Sequence, residues 1–166
     1  MSLILHEHPL SPYSQKVRIM LREKGQAFEV RLPEGLGSGA DPTGYARSNP
    51  RGEVPALQHG DVVIYDSTII MEYVEETWPE PAMLPKAPAE RARQRIIEDV
   101  FDTHWEAINW GLGEIRFFGR GGPELGPTLR AAAEAQVGHL HAWLGRLLDG
   151  RPWLTGEHFG WGDLAA

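Results

Sequence analysis

Cysteine is absent from all 166 residues, which excludes disulfides, thiolate metal sites and any thiol exchange that uses a protein cysteine. A basic excess is missing too: 16 Lys and Arg stand against 23 Asp and Glu, for a net charge of -7. Phosphate-backbone recognition needs the opposite balance, so no nucleic-acid partner is expected. No apolar run approaches the roughly 18 residues of a membrane span, and the first residues lack the basic and apolar regions of a secretory signal. The expectation is a soluble, cytoplasmic chain with no membrane partner. Basic residues do gather locally at Lys16, Arg18, Arg22 and Lys24, a pattern read as the solvated face of a helix.

What is present begins with Ser11-Pro12-Tyr13-Ser14, set between a short apolar strand, Leu3-Ile4-Leu5, and an amphipathic segment. Ser11 suits the helix N-cap, Pro12 suits the first helical position, and Val17, Met20 and Leu21 fall on one face before Gly25 ends the helix. Unsatisfied backbone N–H groups and the positive dipole end favour an anion at such a terminus. Ser11 is therefore either a plain cap or a hydroxyl donor to a bound anion, with Tyr13 and Ser14 as competing donors.

Residues 27–32 alternate as a half-buried strand, and a helix between it and the first strand makes a βαβ unit with parallel strands. The stretch 33–52 reads as a mobile loop. Its Gly35-Leu36-Gly37-Ser38-Gly39 run lacks the Gly-Lys-Ser/Thr ending of a phosphate loop. Strands at 55–58 and 62–65 flank a three-residue hairpin connection, His59-Gly60-Asp61. A helix opens near Ser67, with Ile69, Ile70, Tyr73 and Val74 at helical spacing and Pro79 as its limit. His6 and His8 are either metal ligands on one strand face or ordinary polar positions.

Prolines at 79, 81, 85 and 88 break regular structure and read as a linker. Beyond it, Phe101, Trp105, Ile108, Leu112 and Ile115 predict one long helix with a buried stripe, and Leu129, Ala133, Val137, Leu140 and Leu144 or Leu147 predict another. Trp105 and Trp110 are candidates to line a cleft. The expected domains are residues 1–78, a linker over 79–88 and a helical domain over 89–166.

Three motifs in order carry a resemblance. Ser11-Pro12-Tyr13-Ser14 looks like a glutaredoxin-type Cys-Pro-Tyr-Cys site with both cysteines replaced by serine. Asn49-Pro50-Arg51-Gly52-Glu53-Val54-Pro55 and Asp66-Ser67 then follow at familiar spacing. The chain resembles the glutathione S-transferase superfamily, in a serine-type, bacterial-like form. That resemblance implies an α/β thioredoxin-like N-terminal domain plus an all-α C-terminal domain. The helical domain is truncated relative to the family pattern, near a helix at Trp161 where Gly160 replaces the usual hydroxyl residue at the cap.

The same resemblance implies glutathione as cosubstrate, no metal, a small electrophile as second substrate and a homodimer. Ser11 would be the catalytic hydroxyl. Val54 would pair its backbone with the peptide ligand beside a cis bond to Pro55, while Asp66 and Ser67 would hold the γ-glutamyl end. As residues alone, Val54-Pro55 is an ordinary strand start, and Asp66 and Ser67 are ordinary caps. Glu53 departs from the pattern, since relatives often carry a basic residue there, and Arg51 or Arg47 are the candidates to offset it. A thiol titrates near 8.5, and lowering that by about two units requires about 2.7 kcal/mol. One charge-assisted hydrogen bond supplies about 1.5 to 3. The implied activity is detoxification by attack of the glutathione thiol on an electrophilic carbon. A glutathione-dependent isomerase or dehalogenase, or a noncatalytic binding module of the same fold, are the alternatives.

Overall fold

The computed structural model describes residues 2–36, 38 and 44–166, with the side chains of 47 and 48 excepted. The chain divides into two compact units, Met1–Met83 and Leu84–Ala166. In the first, strand β1 (Leu3–His6) leads into α1 (Pro12–Glu23) and then β2 (Glu29–Arg31). A short helix α2 (Tyr45–Ser48) precedes β3 (Ala56–His59), β4 (Val62–Tyr65) and α3 (Ser67–Thr77). Among the described residues the sheet order is β2-β1-β3-β4. β1 and β2 are parallel and pair Leu5 with Val30, whereas β3 is antiparallel to both β1 and β4. This is a thioredoxin-like mixed sheet.

β1 is the centre of that sheet in energy as well as position. Leu3, Ile4 and Leu5 are consecutive and all buried; since side chains alternate between faces, both faces of β1 are covered. Val17, Met20 and Leu21 of α1 and Ile70, Met71 and Val74 of α3 are wholly buried with them. Each such side chain contributes about 1.5 to 3 kcal/mol of apolar burial. α1 starts and stops where its sequence signals lie: Pro12 is its first residue, and Gly25 follows it at φ 66°.

Several expectations shift in detail. The strand expected over 27–32 shrinks to three residues at the sheet edge, where Val30 and Leu32 are 49% and 57% exposed. All three residues of β2 are exposed, so neither face of the strand is covered there and its alternation does not mark a buried face. The hairpin connection has two residues, Gly60 and Asp61, because His59 pairs with Val62 inside the ladder. Gly60 takes φ 61°, as two-residue hairpin turns require at their first position. The buried stripe of α3 uses Met71, while Ile69 is exposed. The stretch 33–52 contains α2, which is too short to show a periodicity; Gly37 and Gly39 of its glycine run lie outside the described residues.

The basic residues of α1 do not form one solvated face. Lys16 and Lys24 are buried, and Arg18 donates through Nε to the buried Glu7 at 2.8 Å. Lys24 Nζ lies 2.5 Å from Glu75 Oε2 and donates to the Pro81 carbonyl at 2.6 Å. Glu75 in turn accepts the Met83 N–H at 3.0 Å. A buried charge is retained only with a partner, and this pair ties the segment after α3 to α1 and α3.

The second unit is helical. α4 (Pro88–Val100), a π-helical turn (Phe101–Trp105) and α5 (Glu106–Phe118) follow without a break, so the expected long helix carries a local widening. α6 (Gly122–Leu148) and a short α7 (Trp161–Ala165) complete it. Ile97, Phe101 and Leu154 form its core, with Trp105, Trp143, Leu144, Leu147, Leu148 and Ala165 packed against them. The stripe expected to be buried along α5 is not: none of its residues is fully buried. α7 survives glycine at its cap. Gly160 N–H donates to Asp163 Oδ2 at 3.1 Å, and that carboxylate also accepts the Thr155 hydroxyl and the Leu154 N–H.

Removing one member of a buried ion pair strands the other, at a cost of about 3 to 5 kcal/mol. Lys24→Met is therefore expected to lower unfolding stability by that amount in urea titration, and adding Glu75→Leu to recover part of it. A loss below about 1 kcal/mol for the single variant would contradict the role given to this pair.

Candidate functional site

α1 begins one residue after Ser11, whose backbone is extended (φ -84°, ψ 115°) and whose Oγ accepts the Ser14 N–H at 3.2 Å. The Ser11 N–H is taken by the His8 carbonyl at 2.9 Å. The cap thus uses a lone pair of the hydroxyl and leaves its O–H to donate elsewhere. Ser14 differs from Ser11. It is wholly buried, and its Oγ has no hydrogen-bond partner among the described residues. Tyr13 is half-buried, with Lys16 Nζ 5.9 Å from its ring centroid.

The segment before β3 is built around a buried amide. Asn49 Nδ2 donates to the Glu53 carbonyl at 2.6 Å and to Tyr45 Oη at 3.1 Å, and Tyr45 Oη donates to the same carbonyl at 2.7 Å. Asn49 Oδ1 accepts the Arg51 N–H at 3.2 Å, and Gly52 turns at φ 63°. Val54 and Pro55 follow, joined by a cis peptide bond, and lead directly into β3. Burial raises the Tyr45 pKa above its ordinary value, against an opposing hydrogen bond from Asn49, which keeps the phenol a neutral donor.

At the start of α3, Asp66 caps with Oδ1, which accepts Thr68 N–H at 3.1 Å and Ile69 N–H at 3.4 Å. Its backbone sits at φ 75°, a conformation that costs a non-glycine residue of order 1–3 kcal/mol and tends to occur where a site needs it. Ser67, the first helical residue, is buried. Arg51 lies between two carboxylates: its Nη2 is 2.7 Å from Glu53 Oε2 and its Nη1 is 3.4 Å from Asp66 Oδ2. The side chain of Arg47 is outside the described residues.

Comparison with known proteins places the chain in a family. A family profile, "Glutathione S-transferase, N-terminal domain", matches residues 5–82. A glutathione S-transferase of known structure from Rhodospirillum rubrum superposes with a TM-score of 0.83 at 31% identity, over 98% of this chain and 74% of its own. The chain belongs to the glutathione S-transferase superfamily. Among other members, "FtsZ-localized protein A" of Caulobacter vibrioides is 35% identical over 98% of this chain and 73% of its own length. A rice glutathione S-transferase, solved in complex with glutathione, has a TM-score of 0.83 at 27% identity over 99% of this chain and 73% of its own. The chain thus spans about three quarters of each of these three superfamily members.

Within the first unit, Ser11, Val54, Pro55, Asp66 and Ser67 stand at a helix start, at a strand entrance and at a second helix start. Trp105 is in the helical unit. Its ring packs 5.9 Å from that of Phe101 and 5.0 Å from that of His141, and it does not line the groove of about 440 Å³ between α5 and α6. His104, Ile108, Ile115, Leu129 and Gln136 are among the residues that do; Trp110 is exposed. His8 Nδ1 accepts the Leu10 N–H at 3.1 Å, and no cluster of three or more potential metal ligands occurs among the described residues. Asn49 opens one of the three motifs without a role of its own there, and Tyr45 lies outside them. Their signal was an Asn-Pro turn with an aromatic residue four positions earlier.

His6, at the end of β1, has its ring 5.2 Å from that of Tyr45. Burial lowers its pKa from the ordinary 6.5, against an opposing hydrogen bond with Gln58. A folded-state pKa below the unfolded one means that the unfolded chain binds more protons, so this contribution is present above pH 6.5 and is lost as pH falls from there through the lower folded-state value. His6→Gln is expected to flatten the decline in melting temperature between neutral and mildly acidic pH. An unchanged slope would contradict the assignment.

Proposed function

We propose that this chain is a glutathione transferase-like enzyme that activates the glutathione thiol for attack on an electrophilic small molecule. The observation that carries the reading is the Ser11 cap: the hydroxyl is fixed by accepting the Ser14 N–H, so its own O–H is free to donate at the N-terminus of α1. In this proposal residues 1–78 bind glutathione, 79–88 connect, and 89–166 are part of a helical domain. Val54 and Pro55 align the backbone of the peptide, and Asp66 and Ser67 hold its γ-glutamyl end. Cytoplasmic location, a homodimer and a detoxifying role belong to the same proposal.

The chemistry is modest in its demands. Ser11 O–H and the helix terminus stabilise the thiolate without accepting a proton, which leaves to solvent. Sulfur then forms a bond to the electrophilic carbon; in a substitution the leaving group departs with its bonding pair, and in an addition the π pair of the conjugated system shifts away from that carbon and the resulting carbanion takes a proton from solvent. Isomerisation and dehalogenation use the same thiolate. A second reading, a noncatalytic module of this fold, is favoured by one feature: Arg51 already engages Asp66 and Glu53, the region assigned here to glutathione.

A single charge-assisted hydrogen bond of about 1.5 to 3 kcal/mol corresponds to about one to two pKa units. Ser11→Ala is therefore expected to raise the thiol pKa of bound glutathione by that amount and to slow conjugation at neutral pH. Ser14→Ala, which removes a buried hydroxyl, is expected to move it less. Titration of thiolate absorbance in both variants makes the comparison; equal shifts would remove Ser11 from its role.

A further inference from the structure

Asp66 presents two oxygens with different obligations. Oδ1 accepts two N–H groups at the start of α3, at 3.1 and 3.4 Å. An incoming cation is left with Oδ2, and Oδ2 is the oxygen that Arg51 Nη1 reaches at 3.4 Å. Arg51 holds Glu53 more closely, at 2.7 Å through Nη2. Its backbone is pinned as well, since the Arg51 N–H donates to Asn49 Oδ1 and Asn49 is buried. The guanidinium is thus anchored on Glu53 and leans on Asp66.

We infer that Arg51 is an internal competitor for the ammonium-binding oxygen of Asp66, and that a ligand's ammonium group must displace it to bind. The inference rests on the glutathione reading above and deepens it by naming the residue that holds down affinity at the γ-glutamyl end. The unequal distances give the order of events. The long contact to Asp66 opens first, while the short contact to Glu53 retains the guanidinium nearby and keeps the Glu53 charge neutralised toward the ligand's carboxylates. A ligand without an ammonium group gains nothing from the exchange. It leaves Arg51 on Asp66, so the competition weakens binding of the amino-terminated form of a peptide and not of its amino-deleted form.

The exchange is inexpensive, because Arg51, Glu53 and Asp66 are all exposed to solvent. Exposed ion pairs are worth little, and removing one competitor is expected to change affinity by no more than about fivefold. Replacing Arg51 alone also unpairs Glu53, which mixes two effects. The informative comparison is therefore between Glu53→Gln and the double variant Arg51→Met, Glu53→Gln in the full chain, each first checked for an unchanged melting curve.

Titration calorimetry at low salt with glutathione, and with its des-amino analogue in which glutaryl replaces γ-glutamyl, separates the outcomes. The double variant is expected to bind glutathione about two- to fivefold more tightly than Glu53→Gln, with no gain for the des-amino analogue. Weaker glutathione binding would make Arg51 a direct ligand contact and overturn the inference, as would an equal gain for both peptides or no gain for either. If neither the original chain nor any variant binds millimolar glutathione, the glutathione reading fails and this inference fails with it. Binding by the original chain without the selective gain defeats the inference alone.

Discussion

The hydrogen bond from the Ser14 amide to the Ser11 hydroxyl decides where α1 begins, and much of the first unit follows from that starting point. Starting at Pro12 puts Val17, Met20 and Leu21 against the sheet and brings Lys24 to Glu75. At about 100° per residue, Val17, Met20 and Leu21 then share one face of the helix. The same bond fixes the Ser11 oxygen while leaving its proton free. One contact therefore both caps the helix and orients the donor at its terminus.

A second constraint operates at the other end of the site. Buried Asn49 and the hydroxyl of buried Tyr45 hold the Glu53 carbonyl, and that carbonyl positions the entrance to β3. Arg51, Glu53 and Asp66 project from this rigid frame into solvent, so their ion pairs rearrange at little cost while the backbone stays in place. Rigid support beneath exchangeable charges is what a peptide-binding surface requires.

The βαβ order, the helix starting at Ser11 and the helix near Ser67 were legible because capping residues and apolar spacing coincide there. What escaped the sequence has physical causes. Alternation at Val30 and Leu32 reads as half-burial, but neither face of that edge strand is covered. Lys16 and Lys24 read as solvated because charge patterning cannot see Glu75, 51 residues from Lys24, as a buried partner; the π-turn over Phe101–Trp105 leaves no compositional mark. For the candidate site, motif order singles out Ser11, Val54, Pro55, Asp66 and Ser67, the residues proposed to bind glutathione. The convergence of Arg51 on Glu53 and Asp66 depends on a turn whose geometry the motif does not encode.

The central claim is that the first unit binds glutathione through both helix starts. Its most direct test is the melting temperature of the folded chain with and without glutathione. At about 100 times the dissociation constant a ligand adds roughly 2.7 kcal/mol, or about 5 to 10 °C for a chain of this size. The account predicts such a shift, reduced in Asp66→Ala and enlarged in Glu53→Lys. No shift at millimolar glutathione would contradict it and favour the noncatalytic binding module.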